Sequence, residues 1–244
     1  CLSMPLTDHD GVYIPIVQKD CAMKNIDRLK ELGSGSYATV WKIVDGDGNF
    51  YALKRFDRRE YDEKYEDLLR LVRREECLLS TIDNPRVVKL HCTMVDSYMP
   101  MFLLELIPGQ ELFDVIFYPE KISTSNKKIR VEAREIPWIV AQIVTVLHDL
   151  HLQGIIYHDL KMENIMLIPK DLRIKLVDFG LAVRVGDWRN DQVKILCGST
   201  DYMAPEVLLD LPHGVAADWY SLGVIIHEME SRRAYFAAGD DEGE

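Results

Sequence analysis

The sequence predicts an α+β fold, with strand signals concentrated before Ile107 and helix signals after it. Three observations carry that expectation. The run Asp45-Gly46-Asp47-Gly48-Asn49 is rich in residues that accept positive φ and lies between two apolar arms, which signals a hairpin. Pro137 to Leu152 opens on proline, repeats apolar residues at Ile139, Val140, Ile143, Val144, Leu147 and Leu150, and is closed by Gly154, so it reads as a helix with defined ends. Finally, Ile156 to Gly180 sets Asp159, Lys161, Asn164 and Asp178 between strand-like apolar flanks. That stretch reads as a centre of chemistry, although either aspartate alone would be an ordinary turn residue.

Composition narrows the class. A chain of 244 residues can form one large domain or two lobes. Hydrophobic residues make up 48%, which suits a globular protein, and no uninterrupted apolar run approaches the roughly 18 residues of a membrane span. The first residues, Cys1 to Pro5, lack the basic region and apolar block of a signal peptide. The expected compartment is the cytoplasm, with the nucleus as the alternative. Five scattered cysteines (Cys1, Cys21, Cys77, Cys92, Cys197) show no metal-ligand spacing and fit reduced thiols. A formal net charge of -11 argues against nonspecific nucleic-acid binding and is compatible with basic partners.

Taken in order, residues 1–25 read as an N-terminal extension, because Pro5, Gly11 and Pro15 break any long helix. Ile26 to Leu32 alternates like a strand and leads to Gly33-Ser34-Gly35-Ser36-Tyr37-Ala38-Thr39-Val40. Alone, two such glycines mark an ordinary hairpin more often than a phosphate loop. Phe50 to Phe56 is the second arm of the Asp45 hairpin and carries Lys54. Glu60 to Leu79 favours a helix, with apolar positions at Leu68, Leu69, Leu71, Val72, Leu78 and Leu79. Val87 to Leu90 and Met101 to Leu106 read as strands, and Ile107-Pro108-Gly109 breaks the pattern. Gln110 to Ile116 opens a helix, followed by a polar, basic segment from Tyr118 to Arg134. His148 and His151, three residues apart, are read as core or surface histidines without a ligand role.

Several of these runs resemble the motifs of eukaryotic protein kinases. Tyr157-His158-Asp159-Leu160-Lys161-Met162-Glu163-Asn164 resembles the catalytic loop, and Asp178-Phe179-Gly180 the Asp-Phe-Gly motif. The run from Gly33 resembles the Gly-rich loop, with Ala38 at its third glycine, and Tyr51-Ala52-Leu53-Lys54 resembles Val-Ala-Ile-Lys. Gly198-Ser199-Thr200-Asp201-Tyr202-Met203-Ala204-Pro205-Glu206 is similar to Gly-Thr-x-x-Tyr-x-Ala-Pro-Glu of the serine/threonine type, and Ala217 to Ile226 to the buried central helix. The resemblance runs from Ile26 to Glu230. It implies the bilobal protein-kinase fold: an antiparallel β-sheet N-lobe with one helix (26–106) and a mainly helical C-lobe (107–244), with ATP and two Mg2+ between. The family's last three or so helices are expected to be missing, which would leave Glu206 as a buried charge without its arginine.

The resemblance also implies roles. Phosphoryl transfer needs a carboxylate to take the proton of the attacking hydroxyl and oxygen ligands for Mg2+. Asp159 matches the first task, and Asn164 and Asp178 the second. Lys161 adds a cation where charge builds. Lys54 would pair with ATP phosphates and with Glu75, Glu76 being the competing choice. Gly33, Ser34, Gly35, Ser36, Val40, Ala52, Leu104 as gatekeeper, Glu105, Ile107 and Met166 would contact the nucleotide. Lys161 and the Gly-Ser-x-x-Tyr run favour serine or threonine as acceptor over tyrosine. Subgroup resemblance is mixed, between the cyclic-nucleotide-dependent and calcium/calmodulin-dependent groups. Glu111, Glu163 and Glu228 match carboxylates that hold basic residues of a protein substrate in basophilic relatives. His158 stands where arginine is usual and Ile195 where relatives carry a phosphorylatable threonine, which implies activity independent of activation-segment phosphorylation. The expected partners are a protein substrate and no nucleic acid, with a regulatory partner allowed for. The alternative is a kinase-fold module that binds nucleotide or a partner without turnover.

Overall fold

The computed structural model describes residues 26–35, 38–56, 65–96, 99–120 and 130–236. The expected extension 1–25, Ser36 and most of the basic segment after Tyr118 lie outside the described residues. Two compact units emerge, one of Cys1–Asp83 with Val88–Ile107, the other of Asn84–Val87 with Pro108–Glu244. The sequence reading kept 26–106 in one piece. The structure gives Asn84–Val87 to the second unit, because Val87 bridges Leu176 and the Leu176 N–H donates to the Arg86 carbonyl at 2.7 Å.

The first unit is an antiparallel sheet with one helix. Its strands are β1 (Asp27–Ser34), β2 (Ala38–Val44), β3 (Phe50–Phe56), β4 (Leu90–Asp96) and β5 (Met99–Glu105), in the order β1-β2-β3-β5-β4. The β2–β3 turn closes as expected, with Asp45 Oδ1 accepting from the N–H groups of Asp47 (3.0 Å) and Asn49 (2.8 Å) and Gly48 at φ 84°. Helix α1 (Tyr65–Thr81) buries Leu68, Val72, Glu75 and Leu79, a stripe at helical spacing. On one sheet face Ile43, Leu53, Cys92, Met101 and Leu103 form an apolar cluster. Neighbouring residues on β3 and β5 point the other way, so Phe56 meets Phe102 edge-on at 4.9 Å and Ala52 pairs with Leu104. The strand expected over Val87 to Leu90 instead begins at Leu90 and runs to Asp96, and Val87 bridges Leu176 in the second unit. Cys92 is disulfide-bonded, which corrects the expectation of reduced thiols there. Cys77 and Cys197 remain thiols.

The second unit is mainly helical. Strand β6 (Gln110–Glu111) precedes α2 (Leu112–Phe117), so the expected helix starts two residues late because Gln110 and Glu111 pair with Leu167 and Met166. Helix α3 (Ile136–Leu152) follows, then β7 (Ile155–Ile156), β8 (Ile165–Ile168), β9 (Arg173–Leu176) and β10 (Val183–Arg184), α4 (Pro205–Leu208) and α5 (Ala216–Ser231). β8 and β9 form a hairpin, and β10 pairs with β7. Buried Gln142 ties α3 to this hairpin, donating to Leu172 O at 2.8 Å and accepting from Ile174 N at 3.3 Å. Helix α5 buries Ala217, Asp218, Ser221, Leu222, Val224, Ile225, Glu228 and Met229. Arg232 caps it in the left-handed region at φ 57° and donates to the carbonyls of Ile116 (3.2 Å) and Val131 (2.7 Å). Glu206 is half-buried in the first turn of α4, not the buried lone charge expected, and a helix N-terminus favours a carboxylate. Among the described residues no helix is long and apolar enough to cross a membrane.

Candidate active site

In the first unit the central feature is a buried ion pair. The Lys54 ammonium donates to both Glu75 oxygens at 2.7 and 2.9 Å, with the side chains 10% and 2% exposed. Register explains it: Lys54 sits on β3 opposite Val40 of β2 and Phe102 of β5, and Glu75 falls on the buried stripe of α1. The competing Glu76 is taken by Thr93, whose hydroxyl donates to its Oε1 at 2.7 Å. Burial pushes the Glu76 carboxyl above its ordinary range. Ala52 and Leu104 are buried, while Val40, Glu105 and Ile107 are partly so. The Glu105 N–H is engaged by Lys89 O at 3.0 Å. Gly33 and Ser34 belong to β1, whose eight residues are all exposed, and a Cβ added to Gly33 would meet nothing within 4 Å. Gly35 donates to Ala38 O at 2.9 Å.

In the second unit a network surrounds Asp159. Its Oδ2 takes a hydrogen bond from Asn164 Nδ2 at 2.8 Å and lies 3.0 Å from Lys161 Nζ. Its Oδ1 accepts from the Ser199 hydroxyl at 3.0 Å, and that hydroxyl accepts from Lys161 at 2.8 Å. Asn164 Nδ2 also holds the Asp159 carbonyl at 2.9 Å, which leaves the Asn164 amide oxygen as the group able to face a cation. The hairpin brings the second oxygen ligand near: β8 begins just after Asn164, β9 ends two residues before Asp178, and Val177 N–H donates to Asn164 O at 3.0 Å. Asp178 is exposed, at φ 59°. An amide oxygen and a carboxylate are hard donors that fit Mg2+, which takes one or two protein ligands and completes its shell with water and phosphate. Among the described residues no group of three His, Cys, Asp or Glu is arranged to hold a metal. Met166 lies on β8 opposite Lys175.

Buried groups fix the loop that carries Asp159. Asp218 on α5 accepts from the backbone N–H groups of Tyr157 and His158, both at 2.9 Å, and contacts His151 Nε2 at 2.8 Å. This gives His151 a structural partner, in keeping with its non-ligand reading. Tyr157 donates from its hydroxyl to Val177 O and packs edge-on against Phe179 at 5.0 Å.

Around the loop, Glu111 and Glu163 have raised carboxyls, each mainly through burial; Asp114 and Glu163 add to the rise at Glu111. Glu163 Oε2 is buried without a hydrogen-bond partner. Glu228 differs: Oε2 accepts from Tyr202 OH at 2.8 Å and Oε1 from Tyr235 N at 3.1 Å. Burial, then that hydrogen bond, pushes the Tyr202 hydroxyl well above its usual range. Both Glu228 oxygens thus carry an internal hydrogen bond, and the carboxylate lies near enough to Glu163 to add to the rise there. Sequence reasoning noted Ser199 only as a replacement for threonine, and missed His213, which has no local motif to signal it.

Comparison with known proteins follows the same lines. A model described as the protein kinase domain matches residues 26–244. The cAMP-dependent protein kinase catalytic subunit of Dictyostelium discoideum is 34% identical over 226 residues, covering 92% of this chain and 32% of that protein. The cAMP-dependent protein kinase catalytic subunit PRKX of Homo sapiens is 32% identical over 216 residues, 86% of this chain and 54% of that protein. Protein kinase C delta type of Rattus norvegicus is 31% identical over 242 residues, 98% and 34% respectively. The chain therefore spans between 32% and 54% of the length of these relatives. With the motifs folded into the two units described and the match extending over residues 26–244, the chain belongs to the protein kinase domain family.

Proposed function

We propose that this chain transfers the γ-phosphoryl group of ATP to serine or threonine hydroxyls of a protein substrate, with a preference for basic residues before the acceptor. The observation that carries the reading is the Asp159 network, where one carboxylate is oriented by Lys161, Asn164 and the Ser199 hydroxyl. Asp159 orients the attacking hydroxyl and takes its proton. Lys161, within 3.0 Å of that carboxylate, lowers the cost of charge gathering on the transferred group. The Asn164 amide oxygen and the Asp178 carboxylate would hold Mg2+, which when bound neutralises phosphate charge. Lys54, held by Glu75, would meet the α- and β-phosphates. Gly33, Ser34, Gly35, Ser36, Val40, Ala52, Leu104, Glu105, Ile107 and Met166 would contact the nucleotide. Gly33 supports this part, because among the described residues nothing lies within 4 Å of where its Cβ would be.

The basic preference rests on Glu163. A buried carboxylate oxygen without a partner is costly unless a donor completes it, and a substrate guanidinium can supply a charge-assisted pair. Glu111 adds a second carboxylate. Incubating the chain with ATP, Mg2+ and a positional peptide library is the test. We expect phosphoserine and phosphothreonine in peptides with Arg or Lys before the acceptor. Nucleotide binding without incorporation would instead support the module reading, and an acidic or proline-directed preference would remove Glu111 and Glu163 from substrate recognition.

A further inference from the structure

His158 immediately precedes Asp159, and its ring is buried. Its Nδ1 lies 3.2 Å from the Leu181 carbonyl oxygen and its Nε2 lies 3.0 Å from Nε2 of His213. His213, also buried, sets its own Nδ1 3.1 Å from the Leu211 carbonyl oxygen. Carbonyl oxygens only accept, so each Nδ1 must carry a proton to bond there. The contact between the two Nε2 atoms needs another, donated by one ring and accepted by the other. Three hydrogen bonds require three ring protons, and two neutral imidazoles hold two. The arrangement is complete only after one proton is taken from solvent, as an imidazole–imidazolium pair with a single positive charge. Without it, two lone pairs face each other at the closest point.

The backbone holds both rings to this geometry. His158 sits at φ 65°, and its N–H donates to Asp218 at 2.9 Å. Gly198, at φ 109°, lies so close that a Cβ there would come within 2.7 Å of His158 O. His213 exchanges two backbone hydrogen bonds with Val193, at 2.8 and 2.9 Å. The pair thus links the catalytic loop to the loop before α5 and, through Val193, to the segment between Asp178 and Glu206. The charged groups facing it are Asp218 of α5, with His151 of α3 on the same carboxylate, and Asp159 in the loop itself. Along the chain from Leu181 the nearest charged residues are Asp178 and, on β10, Arg184. On the His213 side are Asp191, whose backbone oxygen lies beside Gly214, and the Lys194–Asp210 ion pair at 3.2 Å.

We propose that His213 is a positioning residue for the catalytic loop, holding His158, and through it Asp159, as a singly protonated imidazole pair, so that phosphoryl transfer weakens as pH rises and the third proton leaves. The transfer itself rests on the function proposed above; the proton count does not. The sign follows from the partners: a proton bound by the folded pair stabilises on the acid side, and that contribution is lost as pH rises and the proton leaves.

His213→Gln is the decisive variant, because its carboxamide N–H can donate to His158 Nε2 with no added proton. We expect wild-type kcat and Tm both to fall towards alkaline pH, kcat by up to about tenfold per pH unit above the midpoint. His213→Gln should lack that component in both, and His213→Phe should have low kcat at every pH with KM for ATP little changed. Imidazole 15N spectra of the purified chain should show both rings titrating in one coupled step, abolished by His213→Gln. Parallel pH profiles for wild type and His213→Gln, or independent titration of the two rings, would overturn the proposal. Coupled titration in a chain that transfers no phosphate at any pH would overturn the kinase reading while supporting the protonated pair, so the two failures are distinguishable.

Discussion

The loop around Asp159 and the glycine-bearing strand β1 are held in opposite ways. In the loop nearly every polar group has an internal partner: the carboxylate is reached by Lys161, Asn164 and Ser199, and the backbone is anchored by Asp218. In β1 all eight residues are exposed, and Gly33 faces open space where a side chain would fit. Groups that must move a proton gain from being fixed before the reaction, since preorganised dipoles need no rearrangement as charge develops. A strand whose proposed work is to approach phosphate gains nothing from internal packing at that point. The difference fits the proposed division, with the chemistry in the region the protein fixes by itself and nucleotide contact in the region it leaves open.

The sharpest test of the fixed region is Asp159→Asn. It should lower kcat by about 10^2- to 10^4-fold, the span of a lost general base, in a chain that still folds. Retention of more than a few per cent of wild-type turnover would remove Asp159 from the proton transfer. Next in size, Asp218→Ala takes a buried carboxylate from two backbone N–H groups and His151. We expect a loss of about 3 to 5 kcal/mol, the usual consequence of breaking a buried charged network, read as a drop in denaturant midpoint. An unchanged midpoint would mean that the loop does not depend on α5.

Much of this was legible in the sequence, for physical reasons that differ by residue. Asp159, Asn164 and Asp178 lie in one short stretch whose hairpin sets them close in space, so local spacing was enough. The choice of Glu75 over Glu76 follows from the stripe Leu68, Val72, Glu75 and Leu79, although the alternative closed only when Thr93 was found on Glu76. What local pattern could not carry was long-range use of side chains. Nothing in the sequence near Glu228 shows that Tyr202 and the Tyr235 backbone hydrogen-bond to its two oxygens. Val87 reads as a strand start until its bridge to Leu176 takes it into the other unit. His213 lies 55 residues from His158, and nothing near it announces the contact.

Between the fixed and open extremes stand Glu111 and Glu163, carboxylates built into the second unit, Glu163 with one buried oxygen that has no hydrogen-bond partner among the described residues. Glu163→Gln should raise KM for an Arg-containing peptide by roughly 10- to 100-fold, the value of a hydrogen bond to a charged group, and leave a neutral peptide unaffected. Because both carboxyls are raised by burial, they ionise at higher pH than an ordinary glutamate. KM for the basic peptide should therefore climb on acidification before unperturbed carboxylates titrate. Identical pH dependence for basic and neutral peptides would argue against ion pairing at these residues. The smallest structural effect belongs to the open region. Gly33→Ala should leave Tm unchanged or stabilise by about 0.4 to 1 kcal/mol, since a compatible alanine restricts the unfolded chain, yet raise KM for ATP several-fold. A parallel loss of stability would show that β1 is not open in the sense drawn here.

Arg232 has a consequence for how this family member can vary. Its guanidinium grips the carbonyls of Ile116 and Val131, one in α2 and the other ahead of α3. A single side chain from the end of α5 therefore gathers α2 and the approach to α3 onto one group. Its loss would release two buried carbonyl contacts at once, so three helices far apart in the chain share one residue whose replacement none of them could absorb separately.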